Sequence, residues 1–83
     1  MKKLKLRILT PEGTAFEGSA DAVYVPGAAG RFVILPDHAP IISSLAPGLL
    51  RWKDCGKEVS FALRSGAIKL TDNEIIICAE PER

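Results

Sequence analysis

The sequence predicts an all-β fold built from short strands. Three observations carry that prediction. Apolar residues recur at every second position, turn residues interrupt the chain about every 8–12 residues, and no window holds a helical apolar stripe long enough to be stable. At 83 residues a single domain spanning residues 1–83 is expected. Strand patterns at this spacing read as a sandwich or a barrel.

Leu4, Leu6 and Ile8 alternate with Lys3, Lys5 and Arg7, the pattern of a strand with one buried face. The row of Lys2, Lys3, Lys5 and Arg7 reads as the solvated face of an edge strand, where lysine discourages pairing with another chain. Thr10-Pro11-Glu12-Gly13 supplies a turn. Residues 15–17 form a short strand ended by Gly18-Ser19, and residues 20–25 a longer one stopped at Pro26-Gly27. Gly27-Ala28-Ala29-Gly30 is a loop, and residues 31–35 resume an extended run rich in β-branched and aromatic side chains. Pro36, Pro40 and Pro47 oppose a continuous helix over 36–47 and leave Ile41-Ile42-Ser43-Ser44-Leu45 as a short strand or turn. Residues 49–53 form a strand, and Asp54-Cys55-Gly56-Lys57 a hairpin turn. Val59, Phe61 and Leu63 mark the next strand, which Ser65-Gly66 separates from another at 67–70. Thr71-Asp72-Asn73 turns the chain, and the nearly all-apolar run at 74–79 reads as a strand covered on both faces. The total is roughly nine strands.

Composition narrows the function. Eleven Lys+Arg against ten Asp+Glu leave a net charge of +1, so bulk basicity gives no reason to expect a nucleic-acid or acidic-membrane partner. Hydrophobic content of 47% argues against disorder. Size scaling gives about 4,800 Å² exposed when folded against about 12,900 Å² extended, enough burial for one modest core. The longest apolar runs are about five residues, far short of the ~18 needed to span a bilayer. Cys55 and Cys78 have no metal-ligand spacing; Cys55 lies in a turn, and Cys78 reads as a small core residue. No secretory signal pattern opens the chain. A soluble protein of a reducing compartment is expected, with neither metal nor cofactor.

Catalytic readings are weak. Asp37, His38, Ser43 and Ser44 include the residue types of a hydrolytic triad, but adjacent side chains in an extended segment point to opposite sides. Gly27-x-x-Gly30 runs from strand to strand, without the helix N-terminus that a phosphate cradle needs. The five aromatics mostly occupy positions that read as core, so a single-strand nucleic-acid platform is not expected. More distinctive is the stretch 26–51. It crowds prolines and glycines among the apolar pairs Ile34-Leu35, Ile41-Ile42 and Leu49-Leu50. Rigid loops of this kind suit protein docking, and they equally suit corners between sheets.

The same stretch carries a resemblance. Pro26-Gly27-x-x-Gly30-x-Phe32-x-Ile34-Leu35-Pro36-x-His38-Ala39-Pro40, followed by Leu45-x-Pro47-Gly48-x-Leu50-Arg51, closely resembles the N-terminal domain of the ε subunit of bacterial F-type ATP synthase. Leu6-x-Ile8-x-Thr10-Pro11-Glu12-Gly13, Phe16-x-Gly18, and Ser65-Gly66 ahead of Ile68-x-Leu70 match in the same order, so the resemblance covers nearly the whole chain. It implies a ten-stranded β-sandwich of short antiparallel strands. It also implies a non-catalytic rotor subunit that links the γ subunit to the c-ring in proton-driven ATP synthesis. Such a subunit is peripheral to the cytoplasmic face of the bacterial plasma membrane and monomeric when isolated.

By resemblance, Thr10, His38 and Ser43 correspond to positions near γ, with Ala39 and Pro40 shaping that loop, while Ala28, Ala29, Gly30 and Arg31 face the c-ring. Gly27, Pro36, Pro47 and Gly48 correspond to fold-setting turns. Arg31 stands where an acidic residue is common, so the charge pairing with the ring is expected to differ. Val33 and Asp37 stand where glycine is frequent, and Asp37 adds a charge beside His38. The family's C-terminal helical hairpin has no counterpart after Ala79-Glu80-Pro81-Glu82-Arg83, so inhibition of ATP hydrolysis and ATP sensing are not expected of these residues. The opening Met1 and the lack of a tag favour a naturally short member. The alternatives are a free-standing β-sandwich that binds an unrelated partner, and a small hydrolase built on Asp37, His38 and Ser43.

Overall fold

The structure is a computed structural model that describes residues 2–82. Eight strands and no helix account for the secondary structure of the described residues: β1 (Leu4–Thr10), β2 (Gly13–Ala20), β3 (Ala22–Gly27), β4 (Gly30–Ile34), β5 (Ile41–Leu45), β6 (Gly48–Asp54), β7 (Lys57–Thr71) and β8 (Glu74–Pro81). The all-β expectation holds, with eight strands where the resemblance implied ten.

One expected break is absent and another is moved, which leaves one strand fewer than the sequence pattern suggests. β7 runs 15 residues through Ser65-Gly66. Its ladder with β8 shifts register between Leu63 and Ser65, a bulge that bends the strand without ending it. Glycine is needed at position 66 because a Cβ there would stand 2.5 Å from the Cys78 carbonyl oxygen. β2 continues through Gly18-Ser19, and the break before β3 falls at Asp21. Gly18 seats the Phe16 ring, which a Cβ would meet at 2.9 Å.

The bend lets β7 serve two layers. Its second half pairs β5 on one side and β8 on the other; β8 pairs β1, and β1 pairs β2. Its first half pairs β6, which pairs β3, which pairs β4. The layers meet through their apolar faces, where Phe16 and Trp52 lie with ring centroids 4.7 Å apart. One core gathers Leu4, Leu6, Ile8, Ile68, Leu70, Ile75 and Ile77 from the first layer with Val23, Val25, Ile34, Leu50, Trp52 and Leu63 from the second. The exposed surface is 5062 Å², close to the scaling expectation.

Three sequence expectations are corrected. β1 is interior, between β2 and β8, so Lys5 and Arg7 decorate an outer face and not an edge. The β1–β8 pair is parallel, the exception among otherwise antiparallel pairs of the described residues. Finally, β8 alternates: Ile75, Ile77 and Ala79 are buried, while Ile76 and Cys78 are exposed. Only one face of β8 is covered, so Cys78 is a surface thiol and not a core residue.

Candidate docking surfaces

Pairing register brings the outward residues of the first layer into rows. Ile42, Lys69, Ile76, Arg7 and Glu17 are successive neighbours across β5, β7, β8, β1 and β2. Ser44, Ala67, Cys78, Leu9 and Thr14 form the adjacent row. An apolar strip therefore crosses this outer face, formed by Ile42, Ile76, Ala67, Cys78 and the half-buried Leu9. Ile42 is 82% exposed, the most of any large apolar side chain described. Arg7, Glu17 and Lys69 give the strip a charged setting, with Arg7 Nε 3.7 Å from Glu17.

The residues expected near γ border this face and do not form one cluster. Thr10 ends β1, its hydroxyl donating to the Gly13 carbonyl at 3.0 Å and accepting from the Glu12 amide at 3.3 Å. Ser43 sits three strands away, about 14 Å across the sheet. It lies in the inward row with Ile68 and Ile77, half-buried, its hydroxyl donating to the Ser44 carbonyl at 3.0 Å. His38, Ala39 and Pro40 are exposed on the loop that enters β5, at the end of the sheet opposite Thr10.

That loop is held from outside. Asp37 takes a left-handed backbone, φ +68°, and its amide donates to Asn73 Oδ1 at 2.6 Å. Asn73 Nδ2 donates back to the Asp37 carboxylate at 3.1 Å, and Lys2 Nζ reaches the same oxygen at 3.2 Å. The Asn73 amide first, and Lys2 next, hold the Asp37 carboxyl below its usual range. Around them a shallow cavity of about 310 Å³ is lined by Lys2, Asp37, His38, Pro40, Asp72 and Asn73. The His38 ring nitrogen Nδ1 lies 2.8 Å from the Ala39 carbonyl. Asp37, His38 and Ser43 thus each engage a different local partner, an arrangement without a relay between them.

The residues expected at the c-ring form the β3–β4 turn. Gly27 pairs Gly30, leaving Ala28-Ala29 at the tip. The tip is fastened to β5, since Ala28 N donates to the Ser44 carbonyl at 2.9 Å and Ala46 N to that of Pro26 at 2.8 Å. Ala28, Ala29, Gly30 and Arg31 are all exposed. The Arg31 side chain does not extend from the tip; it lies back toward Gly48, where Nη2 would be 3.9 Å from a Cβ at that position.

Sequence reasoning named Ile41-Ile42 as a pair without telling its members apart. In all three apolar pairs of the 26–51 stretch, one partner faces the core and the other faces out. Ile34 is buried and Leu35 exposed, Ile41 packs against the core and Ile42 is exposed, Leu50 is buried and Leu49 exposed. Ile76 and Cys78 are hidden in the nearly all-apolar run at 74–79, and Ala67 carries no signal of its own.

Fold and surface together define a small β-sandwich domain whose distinctive feature is its outward apolar faces. Residues 3–81 match the family described as ATP synthase, Delta/Epsilon chain, beta-sandwich domain, and the chain belongs to that family. Among its relatives, the ATP synthase epsilon chain of Desulfitobacterium hafniense is 39% identical over 75 residues, 90% of this chain and 57% of the relative. That of Leptospira interrogans is 35% identical over 78 residues, 94% of this chain and 61% of the relative. This chain therefore spans about three fifths of the length of such relatives. Among solved structures, a chain of the Euglena gracilis mitochondrial ATP synthase, in a structure of its OSCP/F1/c-ring, superposes with TM-score 0.86 at 20% identity. The alignment covers 95% of this chain and 53% of that one. A chain from the central stalk/c-ring of the Tetrahymena thermophila enzyme gives 0.78 at 16%, covering 95% and 64%. At these identities the superpositions speak for the fold.

Proposed function

We propose that this domain is a non-catalytic element of the central stalk of an F-type ATP synthase, joining the γ subunit to the c-ring. The observation that carries the reading is the match to epsilon chains at 35–39% identity across 90–94% of this chain. Proton flow turns the ring, and the domain supplies rigidity and adhesion between ring and γ while bond making occurs on other subunits. It is peripheral to the membrane; among the described residues no helix is long and apolar enough to cross one.

The first-layer outer face fits a γ contact, because exposed apolar residues interleaved and bordered with polar ones are the ordinary anatomy of a protein interface. Ile42 is its most exposed member, at the β5 end, with His38, Ala39 and Pro40 on the loop that precedes it, Ser43 beside it and Thr10 at the far, β1 end. The Ala28-Ala29-Gly30-Arg31 turn, fastened to β5 and exposed, fits a contact with polar loops of the ring.

Calorimetric titration of the chain into purified γ subunit from the same source tests the reading. One-to-one binding is expected, weakened about tenfold or more by Ile42→Asp or His38→Glu with the thermal midpoint unchanged. Unchanged affinity in both variants overturns the face. Stable capture of another partner, with none of γ, moves the reading to the free-standing module.

A further inference from the structure

The second layer has its own outer face, away from the strip just described. Tyr24, Val33 and Arg51 are neighbours across β3, β4 and β6, with Arg31 beside Pro26 one row along and Lys53 beside Ala22 on the other side. Arg51 lies over the Tyr24 ring at 5.2 Å and Lys53 at 5.8 Å. Tyr24, Arg31, Val33 and Arg51 line a shared depression of about 310 Å³. Val33 and Leu49 add apolar surface, 40% and 45% exposed.

Cations outnumber acids on this face. Strands β3 and β4 carry no acid, and Asp54 at the end of β6 is engaged by Lys3. Glu58 on β7 is 3.6 Å from Arg51 and faces Lys53 in register, and Glu82 stands beyond β7 beside Ala62. Arg31 and Lys53 have no carboxylate within ion-pair distance among the described residues. A chain with a net charge of only +1 thus places Arg51 and Lys53 over one aromatic ring and Arg31 in the same depression, with Glu58 the acid beside them.

We propose that this face docks a carboxylate-bearing segment of a partner protein, held by Arg31, Arg51 and Lys53 around Tyr24. Guanidinium groups match carboxylates in charge and fork geometry, and Val33 and Leu49 supply the apolar part of a mixed contact. The Tyr24 ring is already occupied by two cations, which disfavours base stacking by a nucleic acid. The cations stand on the face of a sheet and not along an amphipathic helix, the usual membrane-surface element. The inference does not rest on the stalk reading; it shares Arg31 with it, whereas Arg51 and Lys53 belong to this face alone.

The test is an amide NMR titration of the ¹⁵N-labelled chain with a short peptide of alternating glutamate and leucine. Its glutamine counterpart, phosphatidylglycerol vesicles and oligo-dT are titrated in parallel. Salt-sensitive shifts at Tyr24, Arg31, Val33, Leu49, Arg51 and Lys53 are expected, absent with the glutamine peptide. Affinity should fall about tenfold in Arg51→Gln combined with Lys53→Gln. Lys53→Gln alone, at an exposed position, keeps the test valid if the double variant unfolds. No shifts, shifts elsewhere, shifts indifferent to these substitutions, or tighter binding of vesicles or oligo-dT on the same amides would each overturn the proposal.

Discussion

Asp37 shows how a single residue can serve a turn and a clamp together. Its φ of +68° lies in the left-handed region, which costs most residues 1–2 kcal/mol and which aspartate and asparagine tolerate through local hydrogen bonds. Here the bonds come from far along the chain, from Asn73, itself at φ +62° in the β7–β8 turn, so two strained positions brace one another. The resemblance marked position 37 as one where glycine is frequent, and the observed φ supplies the reason. The Asp37 carboxyl is held below its usual range by Asn73 and then Lys2. A carboxyl lowered in the folded state adds stability above its unfolded pKa near 3.9, and that contribution is withdrawn as pH falls through the lowered folded value. Asp37→Asn, which keeps the left-handed preference, should therefore flatten the acid limb. Urea midpoints at about pH 6 and about pH 3 should lie closer together than in the parent chain. An identical acid slope in both proteins would refute the assignment.

At the scale of the element, β7 is decisive. Its 15 residues pair with β5, β6 and β8, and the bulge between Leu63 and Ser65 redirects it from one layer to the other. Ser65-Gly66 resembles a turn in sequence because turns and close backbone approaches both select glycine. Pairing with β8 makes it the second case. Gly66→Ala should force β7 and β8 apart, destabilising the fold by roughly 2 kcal/mol. The corresponding fall in Tm, about 10 °C, is readable by calorimetry; a change under about 2 °C would mean that the strands yield freely there. The three apolar pairs teach the same lesson. Their alternation was hidden because both members are apolar, and only register assigned Ile42, Leu35 and Leu49 to the outside.

For the whole molecule, stability rests on one shared core. A domain of this size has a total on the order of 4–12 kcal/mol. Leu50 lies on β6 with no exposed surface, amid side chains from both layers. Leu50→Ala should remove about 3 kcal/mol, a large share of that total. Trp52 is the sole tryptophan and is buried, so its fluorescence reports the transition. The urea midpoint should fall by roughly 2 M. A midpoint within about 0.3 M of the parent would show that the layers close over the cavity.

The sequence alone determined the class of the fold, the position of most strands and the family, because alternation, turn chemistry and a collinear motif are local properties. It also identified the 26–51 stretch as distinctive. Which strands are neighbours was decided only by the tertiary structure: β1 lies inside the sheet, β1 and β8 run parallel, and β7 is one strand shared by two layers. These are choices among long-range pairings that no local pattern encodes. Tertiary structure also decided which apolar residues face water. Burial belongs to a residue's place in the sheet, and so Ile42 and Cys78 are on the surface while Ile41 and Ile77 hold the core.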